Sequence, residues 1–251
     1  MNRVSIFTAI AALVLATAAA YAARGGALPA YIAAAIADTS RPPEDTARDA
    51  DRKPGPTLAF AGVKPGMKVL ELAPGKGYFT RLLSATVGPT GKVYAITGPP
   101  KPGAPPPAVQ AIAADAHYSN VTAIVKPTTA EPLVLPEKVD LVWTSQNYHD
   151  FHNLTDVGID AVNKRVFDAL KPGGTYLVLD HSAQAGSGAR DTNTLHRIDE
   201  DTVKKEVEAS GFKFVGESNI LRNKADPRTA KVFDPSIQGH TDQFILRFSK
   251  P

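Results

Sequence analysis

The sequence predicts an α/β fold in which a mostly parallel, seven-stranded sheet is covered by helices on both faces. Strand-type and helix-type segments alternate along most of the chain, an order that requires crossover helices between parallel strands. A sharp glycine turn, Gly75-Lys76-Gly77, directly follows the first apolar strand candidate. With 251 residues, 43% of them hydrophobic, the chain has enough apolar material for one substantial core.

The chain opens with the features of a signal peptide. Arg3 is followed by an apolar run over residues 4–19 and by the small-x-small triplet Ala20-Tyr21-Ala22. We expect residues 1–22 to be removed on export, which predicts a periplasmic or secreted protein with no membrane insertion after cleavage. The alternative is an uncleaved membrane anchor, because the run approaches the ~20 residues that a spanning helix needs.

After the signal, residues 23–62 are predicted to form a helical segment that packs on a domain comprising residues 63–251. An alanine-rich helix is expected over 28–37, before a pair of prolines. A second short helix is expected over 44–51, closed by Lys53-Pro54-Gly55.

The domain itself reads as strands alternating with helices. Apolar or alternating runs predict seven strands, at 67–72, 92–97, 121–125, 138–144, 175–179, 213–217 and 242–248. Helical spacing and breakers predict four helices, at 78–87, 108–116, 158–170 and 199–210. Asp199 is the expected N-cap of the last helix, and the turn 171–174 is expected to separate the third helix from the fifth strand.

Composition excludes several classes of function. The 28 Lys+Arg and 25 Asp+Glu residues give a net charge of +3, and they are scattered instead of forming the basic stripe of a nucleic-acid binder. We therefore expect no nucleic-acid partner. The absence of cysteine excludes disulfides, thiolate metal sites, a cysteine nucleophile and a lipoprotein anchor.

The turn after the first strand is the strongest candidate for a ligand site. Gly75 and Gly77 allow a ligand to approach the backbone, and the following helix presents free N–H groups. The alternative is a tight connection that merely needs small residues. A dinucleotide-binding fingerprint would have glycine or alanine three positions after Gly77, where Thr80 stands, so the turn argues against NAD or FAD.

The wider sequence resembles a known family. The run Val69-Leu70-Glu71-Leu72-Ala73-Pro74-Gly75-Lys76-Gly77-Tyr78-Phe79-Thr80 resembles motif I of class I S-adenosylmethionine-dependent methyltransferases, and Leu170-Lys171-Pro172-Gly173-Gly174 resembles their turn before strand 5. Four further runs are similar to a group of bacterial exported predicted methyltransferases: residues 146–151, 180–182, 195–199 and 241–244. The resemblance covers most of the chain after about residue 29.

What the resemblance implies is a Rossmann-like class I methyltransferase fold, S-adenosylmethionine as cofactor, and methyl transfer to an unidentified small-molecule acceptor. The implied cofactor-binding residues are Glu71, Ala73, Gly75, Gly77, Tyr78, Thr97, Thr129 and Asn147. In this set the motif I residues surround the methionine part and Tyr78 covers one side of it, while Thr129, with Thr128, lies near the adenine. Two positions depart from the common pattern: Ala73 replaces the first glycine, and Thr97 stands where an acid usually holds the ribose hydroxyls.

Candidate catalytic residues follow the fourth strand. His149 or Asp150 is suited to act as general base, with Tyr148 orienting the acceptor, because substrates lie at this edge of open α/β sheets. In the alternative, His149 and Asp150 form a hydrogen-bonded pair that holds the loop. Metal binding by these two residues with His152 and with Asp180 or His181 suits the ligand chemistry, but the spacing matches no standard site, so we predict none.

A second polar group is expected at the same edge. Asp180-His181 ends the fifth strand, and His196-Arg197 follows a Gly/Ser/Ala-rich loop, 183–190, that has the composition of a lid. Arg197 is equally suited to a structural ion pair with Asp199 or Asp180. Three functions stay open: a methyltransferase, a methyltransferase-like binding module without turnover, and a nicotinamide oxidoreductase. The sequence does not indicate an oligomeric state.

Overall fold

A computed structural model describes residues 27–126 and 135–251 of the chain. The predicted signal peptide, 1–22, and the predicted adenine contacts Thr128 and Thr129 lie outside these ranges. Among the helices that are described, none combines the length and apolarity needed to cross a bilayer.

The described chain contains nine α-helices, one 3-10 helix and seven strands. The helices are α1 (Ala30–Ile36), α2 (Pro43–Thr46), α3 (Asp49–Arg52), α4 (Pro54–Ala61), α5 (Tyr78–Val87), α6 (Ala108–Ala114), α7 (Tyr148–Phe151), α8 (Ile159–Ala169) and α9 (Glu200–Ala209), with a 3-10 turn at Ala116–Tyr118. The strands are β1 (Lys68–Leu72), β2 (Lys92–Thr97), β3 (Val121–Val125), β4 (Val139–Ser145), β5 (Leu170–His181), β6 (Lys213–Ser218) and β7 (Gln243–Ser249).

The strands form one sheet in the order β3-β2-β1-β4-β5-β7-β6. The first five strands of this order are parallel, and β7 runs antiparallel to both β5 and β6. The predicted seven-stranded, mostly parallel sheet is therefore confirmed. Strand order reverses between β1 and β4, and at such a switch point the carboxyl ends of neighbouring strands open a crevice for ligands.

Two apolar clusters, one on each face of the sheet, form the core. On one face Trp143 is fully buried and packs on Phe79 with ring centroids 4.7 Å apart. Ile32 of α1 and Leu58 of α4 join this cluster, so the segment before β1 shares the core of the domain. Truncating a buried tryptophan such as Trp143 to alanine lowers the free energy of unfolding by about 3–5 kcal/mol. This packing therefore contributes to holding Phe79, a residue of the motif I run, in place.

The segment between α1 and β1 differs from the sequence prediction. The single helix expected over 44–51 is wrong, because α2 and α3 are separate. Lys53 adopts a left-handed φ of 44° at the end of α3, and Pro54 then occupies the first turn of α4. Proline tolerates this position because its missing N–H would have no partner there. The triplet 53–55 thus ends one helix and begins another.

The turn 171–174 also differs from expectation. We predicted a break before the fifth strand, but β5 already begins at Leu170, which pairs with Val139. The next pair joins Thr175 to Leu141, so residues 171–174 form an irregularity within the strand. By contrast, α5, β2 and β3 have the predicted bounds, and the Asp199 side chain caps α9 by accepting from the N–H of Asp201.

Candidate active site

The motif I turn has the backbone of a glycine turn even where its residue is alanine. Ala73 has φ 48°, Gly75 57° and Gly77 83°, all in the left-handed region. A side chain in this region costs about 1–2 kcal/mol, so Ala73 is strained. Gly75 is exposed, and a Cβ built there would meet nothing within 4 Å. Gly77 is buried, and its Cβ would lie 2.1 Å from Ile112 Cδ1. Gly75 therefore leaves space for a ligand, whereas Gly77 allows packing.

Glu71 is a buried carboxylate at the end of β1. Its side chain is 3% exposed and accepts a hydrogen bond of 2.6 Å from the hydroxyl of Thr80. Burial raises the pKa of Glu71 to about 7, against the opposing effects of that hydrogen bond and of Arg52 and Arg81. Near neutral pH this carboxyl is poised between its protonated and charged forms.

Tyr78 lies beneath the N-terminal segment. Its hydroxyl donates a 2.6 Å hydrogen bond to Asp49 of α3, and its ring is 2% exposed. The guanidinium carbons of Arg41 and Arg52 lie 5.6 and 4.5 Å from its ring centroid. These arginines cover the Tyr78 ring in this structure. The expected role of Tyr78 as a cover over the cofactor stays a prediction.

Arg52 is a site residue that sequence reasoning missed. From the end of α3 it stacks on Tyr78 and Phe79, and its Nη2 donates to the amide oxygen of Gln146 at 2.7 Å. No carboxylate lies within ion-pair distance of it in the described parts of the chain. Burial, together with repulsion from Arg48, lowers the pKa of Arg52 to about 10. A short helix far from motif I in sequence offered no signal for this contact.

Glu71 and Arg52 line the same cavity. A space of about 30 Å³ is lined by Arg52, Glu71, Ala73 and Asn147, among others. Such a volume holds about one water molecule, so a cofactor at this point requires Arg52 or the segment carrying it to move. A larger cavity of about 550 Å³ lies at the opposite edge, beside Lys64, Met67 and Lys171. The amino ends of parallel strands are not where such sheets bind ligands.

Asn147 and Gln146 connect the strand ends across the switch point. Asn147 Nδ2 donates to the carbonyl of Ala73 at 3.0 Å, which ties the end of β4 to the motif I turn. Gln146 has φ 62°, and its amide nitrogen donates to Gln243 Oε1 at 2.9 Å. The predicted cofactor residue Asn147 therefore lies beside motif I, and Thr97 ends β2 as predicted.

His149 and Asp180 form a buried pair at the ends of β4 and β5. His149 Nδ1 donates to Asp180 Oδ1 at 2.8 Å, and the backbone N–H of His149 donates to the other carboxylate oxygen at 2.8 Å. The side chains are 3% and 0% exposed. Burial lowers the pKa of His149, but Asp180 and Asp150 outweigh it and raise the value. This hydrogen bond fixes the tautomer that leaves His149 Nε2 facing the rim, by which we mean the edge of the sheet formed by the carboxyl ends of β1, β4 and β5.

Two more side chains meet His149 Nε2. His196 Nδ1 and Asp150 Oδ1 both lie 3.3 Å from it, and they are 3.5 Å from each other. His196 is 30% exposed and Asp150 48%, so the group opens to solvent on one side. His149 and Asp150 thus lie close together, as the alternative expects, but within a larger group that includes His196.

Tyr148 requires a correction. We expected it to orient an acceptor at the rim, but its ring is fully buried in the core and its hydroxyl donates to Glu206 at 3.0 Å. Burial raises its pKa well above the ordinary value. His152 also turns to Glu206, and His181 pairs with the Thr241 hydroxyl at 2.7 Å. Because α7 is helical, successive side chains point in different directions, and only His149 and Asp150 face the site.

His196 is placed by its neighbours in the chain. Arg197 is fully buried and forms an ion pair of 2.8 Å with Asp226, so the expectation that it pairs with Asp199 or Asp180 is wrong. Ile198 N donates to the His181 carbonyl at 3.0 Å, which fixes this stretch to the end of β5. His196 itself has φ 56°. Left-handed non-glycine residues at three positions of one rim, Ala73, Gln146 and His196, are typical of functional sites.

The fold is the Rossmann-like fold of class I methyltransferases. No family model matches the chain. It is 28% identical over 195 residues to a ubiquinone/menaquinone biosynthesis C-methyltransferase, UbiE, of Shewanella halifaxensis, covering 76% of this chain and 67% of the relative. The corresponding protein of Shewanella pealeana is 29% identical over the same shares.

Solved structures support the fold. A S-adenosylmethionine-dependent methyltransferase from Aquifex aeolicus has a TM-score of 0.54 at 18% identity, covering 80% of this chain and 89% of that one. An arsenic(III) S-adenosylmethionine methyltransferase from Chlamydomonas reinhardtii has a TM-score of 0.55 at 18% identity, covering 89% and 74%. The cyclase SpnF has a TM-score of 0.58 at 18% identity, covering 80% and 81%.

The sequence relatives and the fold together support an S-adenosylmethionine-dependent methyltransferase, with S-adenosylmethionine as the cofactor. The sequence relatives support the enzyme class, and the solved structures support the fold.

Proposed function

We propose that this methyltransferase acts on a small hydroxylated aromatic acceptor, such as a quinol-type ring, and that His149 is its general base. The observation that most directly supports this proposal is the buried hydrogen bond between His149 Nδ1 and Asp180. It leaves Nε2 of His149 at the edge of the sheet where open α/β sheets bind ligands. The ring chemistry is suggested by the relatives, which are named as quinone-biosynthesis C-methyltransferases.

The motif I half of the rim suits the methionine part of the cofactor. Arg52 offers a guanidinium without a carboxylate partner in the described chain, and Glu71 offers a carboxylate, both facing one cavity. An amino acid carries the complementary charges on its carboxylate and ammonium groups. A Cβ built at Gly75 would meet nothing within 4 Å, so the turn leaves open space there. When bound, S-adenosylmethionine supplies an electrophilic methyl group.

The β4–β5 half of the rim suits proton transfer. His149 Nε2 accepts the proton of an acceptor hydroxyl, and the charge left on the ring oxygen spreads to ring carbons and makes them nucleophilic. Asp180 stabilises the imidazolium that forms, as the carboxylate does in other acid–histidine pairs. Asp150, half-exposed beside Nε2, offers the proton a route to solvent. General-base catalysis of this kind contributes roughly 10²–10⁴-fold to the rate.

The test compares His149→Gln with His152→Ala in methyl transfer from labelled cofactor to a panel of quinols, catechols and aliphatic amines. We expect transfer to hydroxylated rings, a loss in kcat of about 10²–10⁴-fold for His149→Gln, and an unchanged Kd for the cofactor. His152→Ala should behave as the unaltered protein, since His152 faces Glu206. Full activity of His149→Gln would show that another group accepts the proton, and transfer to amines alone would overturn the acceptor class.

A non-catalytic ligand-binding protein is the second candidate. It is favoured by Thr97, which replaces the usual ribose-binding acid, and by the small size of the cavity beside Arg52. Calorimetry and a turnover assay on one preparation separate the two candidates. Binding of S-adenosylmethionine without formation of S-adenosylhomocysteine, across the whole acceptor panel, would favour the binding protein.

The proposal includes export, which rests on the sequence of residues 1–22 alone. Cell fractionation and N-terminal sequencing test it: we expect the protein outside the cytoplasm, beginning near Ala23. A full-length protein in the membrane fraction would instead support the uncleaved anchor. We further propose a small-molecule substrate and no nucleic-acid partner, because the basic residues are scattered.

A further inference from the structure

The three atoms that meet at the rim have the arrangement of metal ligands. His149 Nε2, His196 Nδ1 and Asp150 Oδ1 form a triangle with sides of 3.3, 3.3 and 3.5 Å. Ligands about 2.05 Å from a tetrahedral zinc ion are about 3.3–3.4 Å apart. The three distances therefore match the spacing of ligands around one metal ion.

The chemistry of the set fits a transition metal. Two imidazole nitrogens and one carboxylate oxygen are ligands that Zn²⁺ and Co²⁺ accept, and three protein ligands with one open position are typical of exchangeable or catalytic zinc sites. The open position lies toward solvent, where His196 and Asp150 are 30% and 48% exposed. An ion can thus enter without opening the core.

The surroundings of His149 are those of a supported metal ligand. Its other ring nitrogen donates to the fully buried Asp180, which also accepts from the backbone N–H groups of His149 and His181. A carboxylate bound to the second nitrogen of a histidine orients the ring and increases its basicity toward a metal. Arg197 and Ile198, anchored to Asp226 and β5, hold His196 opposite His149.

We propose that His149, Asp150 and His196 bind a divalent transition-metal ion such as Zn²⁺ at the carboxyl edge of β4 and β5. The site differs from the set considered from sequence, because His152 and His181 face other partners and His196 takes their place. The metal binds through the lone pair of His149 Nε2, so this nitrogen cannot accept a proton while the metal is bound. Only this last consequence rests on the proposed function.

The test is equilibrium dialysis of the whole untagged protein against Zn²⁺, with metal content measured by mass spectrometry and Co²⁺ absorption recorded in parallel. We expect one ion per chain and the intense visible bands of tetrahedral Co²⁺. Asp150→Asn and His196→Asn should each weaken Zn²⁺ binding by about 10-fold or more. Asparagine is chosen at 196 because it tolerates the positive φ there.

His152→Ala is the matched control, a neighbouring histidine outside the triangle, and should bind Zn²⁺ as the unaltered protein does. If the unaltered protein takes up no Zn²⁺ at micromolar concentration, or if His196→Asn and His152→Ala bind alike, the triangle is held by a shared proton and the proposal is wrong. Zn²⁺ should also lower methyl transfer reversibly. Metal binding with unchanged turnover would overturn the base assigned to His149 while leaving the metal site intact.

Discussion

The two halves of the rim treat their charged groups in opposite ways. Beside motif I, burial raises the pKa of Glu71 to about 7 and lowers that of Arg52 to about 10, so both groups are pushed toward their neutral forms. At the ends of β4 and β5, burial acts against the charged forms as well, but the interaction between the two groups outweighs it, so the pKa of His149 is raised and that of Asp180 is lowered.

The difference indicates a division of labour. A half-site whose charges lack close partners gains most when a ligand brings complementary charges, because each desolvated group is then compensated. A half-site whose charges already pair is organised before any ligand arrives and suits proton transfer. This difference supports the proposed roles, in which the motif I half binds the cofactor and the β4–β5 half accepts the proton.

The largest expected effect is on the preorganised half. Asp180→Asn keeps the shape of the side chain but removes the charge that holds the tautomer of His149 and stabilises its imidazolium. We expect kcat to fall by about 10²–10⁴-fold, with cofactor Kd unchanged. Stopped assays with calorimetry on the same sample measure both quantities. A change in Kd as large as that in kcat would mean that the two halves are not separable.

The second prediction separates packing from ligand access within motif I. Gly77→Ala should lower the free energy of unfolding by about 2–3 kcal/mol, because the left-handed φ and the approach to Ile112 Cδ1 both oppose a side chain. Gly75→Ala has the strained φ but free space, so we expect a loss of about 1 kcal/mol together with weaker cofactor binding. Denaturant titration compares them, and equal stabilities would contradict the packing role of Gly77.

The third prediction concerns Arg52. Arg52→Gln removes the cation facing the cavity, and we expect the cofactor Kd to rise by about 10–100-fold while kcat at saturating cofactor is kept. Arg48→Gln is the control, because the exposed Arg48 also lies over the Tyr78 ring, at 5.7 Å, but lines no part of the cavity. Tighter binding by Arg52→Gln would instead show that this side chain competes with the cofactor for space.

The fourth prediction concerns the pH dependence of stability. The folded-state pKa of Glu71, about 7, lies above its ordinary value of 4.5, so its contribution is fully present below pH 4.5 and is lost as pH rises through about 7. Glu71→Gln should remove this loss. The free energy of unfolding of the variant, relative to that of the unaltered protein, should therefore be about 1–3 kcal/mol higher at pH 8 than at pH 5. Thermal unfolding at both pH values measures it, with the exposed Glu44→Gln as control. A parallel shift at both pH values would contradict the raised pKa.

Much of the fold was predictable from sequence because its signals are local. Apolar runs such as 92–97 and 121–125 predict strands by their period. The glycine turn at 75–77 predicts the connection from β1 to α5, because its backbone needs left-handed φ angles. His149 and Asp150 were placed at the rim because they follow β4. Arg52 could not be found in this way, because α3 reaches motif I only after α1 and α4 have packed on the core.

The sequence by itself determined the class of fold, the position of the glycine turn after β1 and the polar residues at the strand ends, because period and turn residues act over a few neighbours. Only the tertiary structure decided which polar side chains meet. Asp180 joins His149, Asp226 takes Arg197 and His196 completes the triangle, because partners separated by 31, 29 and 47 residues are chosen by packing in three dimensions.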